Sequence, residues 1–382
     1  MSWKNLFNKK VRQMKVKNNG NESKGEEKKK LTSVYHLIVL DESGSMRCIT
    51  RATISGCNET IQIIRMMQEQ TIETQRHYVS IYLFDTTKSR YIIKEEKVDK
   101  VREITEEDYR PYAGTPLFDA LGFTLTELKR TIEREKDTLG YVTIITDGYE
   151  NASRQYNLNS VKTLIDELKE KNVIFSFIGA NIDAADYGKK LHIDNFMQFE
   201  QTDAQTGAMW KREREARLRS NARYSFNILM EDEMSRASFS KRENSGNYYT
   251  KREVNPDRIT SELVTSLNEN EIFVFGSNIH GVHNGGASAY ALQNFGAVNG
   301  QAEGLQGQSY AIPTDGVNIN ELYLGIRRFH DFAQAHPELT FYVTRIGCGI
   351  AGWSVFRVAP MFADCANLDN VKLPKEFWEY LL

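Results

Sequence analysis

Three oxygen-bearing side chains alternate along the segment Asp41, Glu42, Ser43, Gly44, Ser45. Alternate residues of an extended turn face the same side, so Asp41, Ser43 and Ser45 can converge. They would offer the hard oxygens that magnesium or manganese accepts while keeping several waters. So short a pattern also arises by chance, but two distant segments have the same destination. Residues 141–146 form an apolar run ending in Asp147 and Gly148, and Gly114, Thr115 and Pro116 open an amphipathic stretch at Leu117. Ligands of open α/β sheets collect beyond the carboxyl ends of the strands, where all three segments would lie. The motif holds no histidine and Ser43 has no evident base, so these hydroxyls read as metal ligands rather than nucleophiles. His36 and His77 read as packed or surface residues, and Cys48 and Cys57 as small hydrophobes on the first helix.

A second set of residues suits an anion. The run 271–275 leads into Gly276, Ser277 and Asn278, then Gly281, His283, Asn284, Gly285 and Gly286 ahead of a helix at Ala287. The apolar run 341–346 ends in Gly347, Cys348, Gly349, Ile350, Ala351, Gly352 and Trp353. Glycines before a helix start bring phosphate close to free backbone N–H groups, and the helix dipole favours the negative charge. Two such turns at neighbouring strand ends would hold a diphosphate from both sides. His280 and His283 lack the acidic or cysteine companions of a zinc site. Asn278 and His283 are the candidates for positioning a hydrolytic water, and Trp353 for stacking on a base or ribose.

The elements that must carry these residues follow from periodicity. Strand-like runs at 35–40, 78–84, 141–146 and 173–178 alternate with stretches of helical spacing, such as Leu117, Leu121, Leu125, Leu128 and Ile132. That alternation predicts a doubly wound, mostly parallel α/β sheet. Residues 203–256 are dominated by charge and read as a helical, solvated linker. From 257 to 382 the alternation restarts, with strands at 271–275 and 341–346 and helices over 287–295, 322–333 and about 357–366. The reading is a basic disordered tail over 1–32, a metal-binding domain over 33–202, the linker over 203–256 and a nucleotide-binding domain over 257–382. No internal repeat relates the two folded zones.

The first set, with every element in order, resembles the metal-ion-dependent adhesion site of the von Willebrand factor A family. That resemblance implies a Rossmann-like sheet in which the hydroxyls of Ser43, Ser45 and Thr115 bond Mg2+ or Mn2+ directly. Asp41 and Asp147 would act mainly through water, leaving an open position for an acidic residue of a protein partner. The last third resembles a macrodomain, a three-layer α/β/α fold that binds ADP-ribose and related nucleotides. Asn278 falls on the family's asparagine, Gly285 and Gly286 on its first loop, and Gly349, Ile350, Gly352 and Trp353 on its diphosphate loop. The usual adenine-reading aspartate has no clear counterpart, and the paired glutamates of the glycohydrolase branch are missing.

The bulk composition is that of an ordinary globular chain. Its 382 residues carry a formal net charge of -2, which gives no global pull toward nucleic acid or anionic membrane. A basic tail or linker helix could still touch nucleic acid locally. No apolar run reaches membrane-spanning length. The four cysteines are too few and too scattered for a disulfide framework, which suits the cytoplasm. The expected function is two-module recognition, of an acidic protein partner and of a nucleotide such as ADP-ribose, in a setting such as bacterial stress or anti-phage defence. An ADP-ribosyl hydrolase targeted by its first domain and a structural scaffold are the alternatives.

Overall fold

The computed structural model describes residues 31–230, 236, 238–250 and 253–381, so the expected disordered tail lies outside the described residues up to position 30. Residues 31–382 pack as one compact unit built on two sheets.

The first sheet comprises β1 (Thr32–Asp41), β2 (Gln75–Phe84), β3 (Ser89–Lys97), β4 (Thr138–Thr146), β5 (Val173–Ala180) and β6 (Phe196–Phe199). Their order is β3-β2-β1-β4-β5-β6, parallel throughout except for β3. β1 begins at Thr32, a residue the sequence reading leaves in the tail. Both faces are covered, as a parallel sheet requires. Tyr35, Leu37 and Val39 face α2 (Leu117–Glu133) and α3 (Leu158–Lys169), whereas Val34, Ile38 and Leu40 face α1 (Thr50–Gln70). A short α4 (Ala184–Lys190) follows β5, and α3 opens on a reciprocal cap between Asn157 and Ser160.

The helix expected to be a solvated linker is the main departure. α5 (Asp203–Leu229) lies beside α1 on the sheet and buries Met209, Trp210, Glu213, Ala216, Arg217 and Tyr224. Gly56 of α1 makes this possible, since a Cβ there would come within 2.1 Å of the Trp210 ring. Several of the charges that suggested solvation are paired, Glu213 with Arg217, Arg214 with Glu59 and Arg223 with Glu243. Arg217 is wholly buried and donates to Glu213 at 2.7 Å and Thr143 at 2.8 Å. Burial of so large an ion is tolerated only with good geometry and filled hydrogen-bonding capacity. Beyond α5, α6 (Phe239–Arg242) and the turn after it continue on the same side, with Asn244 bonding both edges of the Val173–Phe175 backbone.

The buried arginine also fixes two histidine tautomers. Arg217 donates to Nδ1 of His36 at 2.7 Å, so the His36 proton sits on Nε2 and faces Nδ1 of His77 at 2.9 Å. The proton of His77 then lies on its Nε2, toward Thr71 Oγ1 at 3.2 Å, and Thr71 donates to the Met67 carbonyl at 2.7 Å. Burial, then the Arg217 charge, holds both imidazoles far below their ordinary value, with His77 lowered to about 3.

The second sheet comprises β7 (Glu271–Asn278), β8 (Gly304–Gln306), β9 (Ser309–Asp315), β10 (Thr340–Val343) and β11 (Val371–Lys372), in the order β11-β10-β7-β9-β8 with only β8 antiparallel. α8 (Ile319–Ala335) and α10 (Lys375–Leu381) cover one face through Leu322, Ile326, Phe329 and Phe377. α7 (Gly286–Asn294) covers the other with Ala291 against Phe273 and Phe275. The three-layer architecture expected of this region is present. Two details differ. The strand expected over 341–346 stops at Val343, where Thr344 still bonds β7 but Gly347 takes a positive φ of 70°. The helix expected near 357–366 is the one-turn α9 (Val355–Val358) followed by 3-10 turns, Pro360 having no N–H to continue it. α5 reaches this sheet, its Phe226 ring edge-on to Tyr323 of α8 at 5.5 Å. Phe356 of α9 is buried in the cluster that lines α1 and α5, and Ser354 donates to Gln70 at 2.5 Å.

The histidine pair predicts an acid-sensitive fold. Unfolded histidine titrates near 6.5, so below that pH the unfolded chain binds protons that folded His36 and His77 refuse, and stability falls as pH falls. His77 alone should cost roughly 2 kcal/mol between pH 7 and pH 5, with His36 acting in the same direction. Denaturant unfolding across this range should show a shallower decline in His77→Gln; an identical slope would contradict the assignment.

Candidate functional site

β1 and β4 lie side by side at the centre of the first sheet, where the chain winds outward in both directions. Their ends deliver Asp41 and Asp147 to one crevice, the place where strand order reverses. Asp41 is buried and holds the turn that follows. Its Oδ1 accepts from the Ser43 amide at 2.7 Å and its Oδ2 from Thr146 Oγ1 at 2.6 Å. Burial pushes its carboxyl up to about 6, against these hydrogen bonds and with a smaller push from the Asp147 charge.

The hydroxyls of Ser43 and Ser45 are 3.2 Å apart, and both reach Oδ1 of Asp147, at 3.4 and 2.7 Å. Thr115 is buried beside them: a Cβ on Gly148 would fall 2.8 Å from its Oγ1. Its backbone is held by Asn151, whose Oδ1 accepts from the Thr115 amide at 3.0 Å. Ser43, Ser45 and Asp147 thus meet at one end of the sheet, where Asp41 anchors the turn and Thr115 lies against Gly148. Among the described residues no group of three or more His, Cys, Asp and Glu side chains converges, so the donor set is hydroxyl-rich with two carboxylates. That chemistry fits a hard cation that retains water.

Several residues that hold the crevice carry no evident sequence signal. Glu42, wholly buried between two predicted ligands, is clamped by Arg90 at 2.6 and 3.3 Å and accepts from the Arg110 amide at 2.7 Å. Its carbonyl accepts from Tyr112, and Gly44 bonds Ala113, which ties the 41–45 turn to the loop bearing Thr115. Gln201, just after β6, donates to Asp147 Oδ2 and to the Ser45 carbonyl, while its Oε1 accepts from Asn181 at 2.7 Å. The parallel order β4-β5-β6 sets Gln201 beside residue 147, a neighbourhood that sequence separation conceals.

The glycine-rich turns of the second sheet frame a cavity of about 190 Å³ beyond the ends of β7 and β9. Asn278, Gly285, Gly286, Gly347, Gly349, Ile350 and Ala351 line it, joined by Ser277, Thr314, Asp315, Thr344 and Arg345. Ile350 leans across the mouth: a Cβ on Gly285 would meet its Cδ1 at 2.9 Å. The N-terminus of α7 opens here, and no side chain caps it.

Four expected residues stand elsewhere. His283 is buried against the edge of Phe275, their rings 5.1 Å apart, and does not line the cavity. Trp353 donates from Nε1 to the Thr314 carbonyl at 2.9 Å and carries the Arg357 guanidinium over its face, so it braces the loop from behind. Gly352 and Cys348 belong to the same outer turn, and burial pushes the Cys348 thiol up to about 11. Asn278 does line the cavity, but its Oδ1 accepts the amides of His280 and Val282 at 3.0 and 2.9 Å and shapes the turn.

No family model matches the chain, and no curated protein matches it in sequence. Solved structures with local likeness include the pilus adhesin SpaC of Lactobacillus rhamnosus GG, at 10% identity and a TM-score of 0.38 over 51% of this chain and 31% of that one. Others are the manganese-loaded TRAP protein of Plasmodium vivax, at 17% and 0.32 over 47% and 71%, and the SpRpn10 VWA domain, at 9% and 0.32 over 47% and 94%. This chain spans less than a third of the adhesin. Likeness at that level decides nothing. The strand order and the two-sided covering of the first sheet are what define a doubly wound α/β protein, joined to a second α/β/α layer structure. Among the described residues no helix is long and apolar enough to cross a membrane.

Thiol accessibility checks this placement directly. Cys48 is exposed while Cys57 and Cys365 are buried, and a thiol at about 11 is roughly one-thousandth ionised at pH 8. Iodoacetamide followed by peptide mass spectrometry should label Cys48 well before Cys348. Equal rates would refute the half-buried placement of the Cys348 thiol.

Proposed function

We propose that the chain is a two-module recognition protein whose first module is a von Willebrand factor A-like domain. Ser43, Ser45 and Thr115 would hold Mg2+ or Mn2+ through their hydroxyls, with Asp41 and Asp147 acting through water. The observation that carries this reading is the meeting of both serine hydroxyls on one oxygen of Asp147, from segments 102 and 104 residues apart. When bound, the cation supplies an electrophilic position for a partner's carboxylate. The protein's own part is to hold the donors rigid: Asp41 anchors the turn, Glu42 and Arg90 pin it from below, and Gly148 leaves room for the Thr115 hydroxyl. Keeping both aspartates at the ends of buried strands limits the reorganisation that binding requires.

The expected measurement is a Mn2+ titration followed by calorimetry or by the electron paramagnetic resonance signal of the free ion. Ser45→Ala and Asp147→Asn should each weaken binding at least tenfold, on the scale of one lost ligand or supporting contact. Gly148→Ala should weaken it with every donor retained, because the new Cβ displaces Thr115. Unchanged Mn2+ affinity in all three variants would refute the site.

The second module would take ADP-ribose or a related nucleotide, macrodomain-like, with its diphosphate between the 285–288 and 347–351 backbones. What supports this is the cavity where these two glycine-rich turns face one another across an uncapped helix start. A ligand at 100 times its dissociation constant stabilises its domain by about 2.7 kcal/mol. ADP-ribose should therefore raise the unfolding temperature of the full chain, and Gly349→Glu, which places a carboxylate in the diphosphate turn, should abolish the rise. No rise with ADP-ribose, ADP or NAD would exclude this class of ligand.

A further inference from the structure

Each oxygen of Asp147 faces a donor. Oδ1 accepts from Ser45 at 2.7 Å and from Ser43 at 3.4 Å, and Oδ2 accepts from the Gln201 carboxamide. The same Nε2 reaches the Ser45 carbonyl at 3.3 Å, so the half-buried Gln201 spans two of the residues predicted to serve the metal. A carboxylate oxygen and a carbonyl only accept, which fixes the amide nitrogen toward them. The other end of the amide is fixed as well, with Asn181 Nδ2 donating to Oε1 at 2.7 Å. The backbone on both sides of Gln201 is held in turn. β6 pairs Phe199 with Ala180, and the Asn181 amide donates to the Phe199 carbonyl at 3.1 Å. One residue beyond Gln201, the Thr202 side chain caps α5 by accepting the Gln205 amide at 3.2 Å. The ends of β4, β5 and β6 thus carry one hydrogen-bonded line from Asn181 through Gln201 to Asp147.

We infer that Gln201 is a positioning residue that keeps Asp147 from ligating the cation directly. This inference rests on the metal reading above and names what would hold Asp147 at the distance of one water. A cation drawn to Oδ2 would meet the positive end of the carboxamide. On the Oδ1 side the serine hydroxyls can give their protons to Asp147 and still keep lone pairs for the metal, since a hydroxyl has one proton and two lone pairs. The carboxylate is therefore turned so that the serines, and not its own oxygens, face the ligand position. Negative charge kept one water away weakens the field of a cation less than the same charge at contact. Gln201, acting through Asp147, would then set both how tightly the ion is held and how much of its charge is left for an outside ligand. Asn181 is part of the device, because a carboxamide free to rotate would not hold its nitrogen on Oδ2.

The test uses the full chain with Mn2+ as the probe and two readouts. Affinity comes from the electron paramagnetic resonance signal of the free ion, and the number of waters on the bound ion from its hyperfine coupling to isotopically labelled water. Gln201→Ala frees Asp147 to enter the coordination shell. The variant should bind Mn2+ more tightly, by about tenfold on the scale on which outer contacts move metal affinity, and the bound ion should carry one water fewer. Asn181→Gly removes the pin on Oε1 and suits the positive φ of 53° at that position, so it should shift both readouts the same way by a smaller amount. The two variants alter different strand ends, and agreement between them excludes a local folding defect. Equal or weaker binding in both variants, or an unchanged number of waters, overturns the inference and leaves the metal site standing, with Gln201 a brace of the turn and nothing more. A parent chain that does not bind Mn2+ overturns both.

Discussion

The hydrogen bond from Thr146 to Asp41 closes the ends of the two central strands onto one another, and the first crevice depends on it. Parallel pairing of β1 with β4 sets Leu40 opposite Ile145, so the next residue of each strand is an oxygen-bearing one. Once Asp41 is held there, its other oxygen takes the Ser43 amide and turns the chain so that two serine hydroxyls face Asp147. The remaining supports act on this same turn from outside: Glu42 with Arg90, Tyr109 bonding the Asp41 carbonyl at 2.8 Å, and Gln201 on the far oxygen of Asp147. A slip of one residue between the strands would reverse the facing of every side chain in β1 and take His36 away from Arg217 and His77.

Much of this was legible in the sequence because strand periodicity and chemistry pointed the same way. The apolar runs before Asp41 and Asp147 identify strands, and their terminal acids then emerge at the carboxyl ends of those strands. Thr115 was readable for a related reason, since glycine and proline around it mark a turn into a helix. The supports were not readable. Glu42 looks like the solvated member of an alternating turn, and only the structure shows Arg90, Arg110 and Lys88 gathered on it.

The charged stretch after residue 203 shows the limit of composition more sharply. A helix carrying Arg212, Glu213, Arg214, Glu215, Arg217 and Arg219 suggests a wet surface. Two of these, Glu213 and Arg217, are nevertheless wholly buried, because they neutralise one another four residues apart and Thr143 and His36 complete their hydrogen bonds. Pairing at that spacing is visible in a sequence; the buried threonine and histidine that make it tolerable come from strands far away in the chain. The second sheet tells the same story in its loops. Glycines located the cavity, but which neighbours face inward was decided by positive-φ turns such as Gly347, which send Trp353 behind the loop rather than into it.

α5 begins two residues after Gln201 and ends with Phe226 and Leu229 against the second sheet's core. At about 1.5 Å per residue its 27 residues span roughly 40 Å. It is therefore a shared beam rather than a tether. Cutting the chain on either side of it would strip a wall from one half and leave the other with an orphaned greasy stripe. Exchange of either half between proteins would have to carry this helix along, because it packs against both cores.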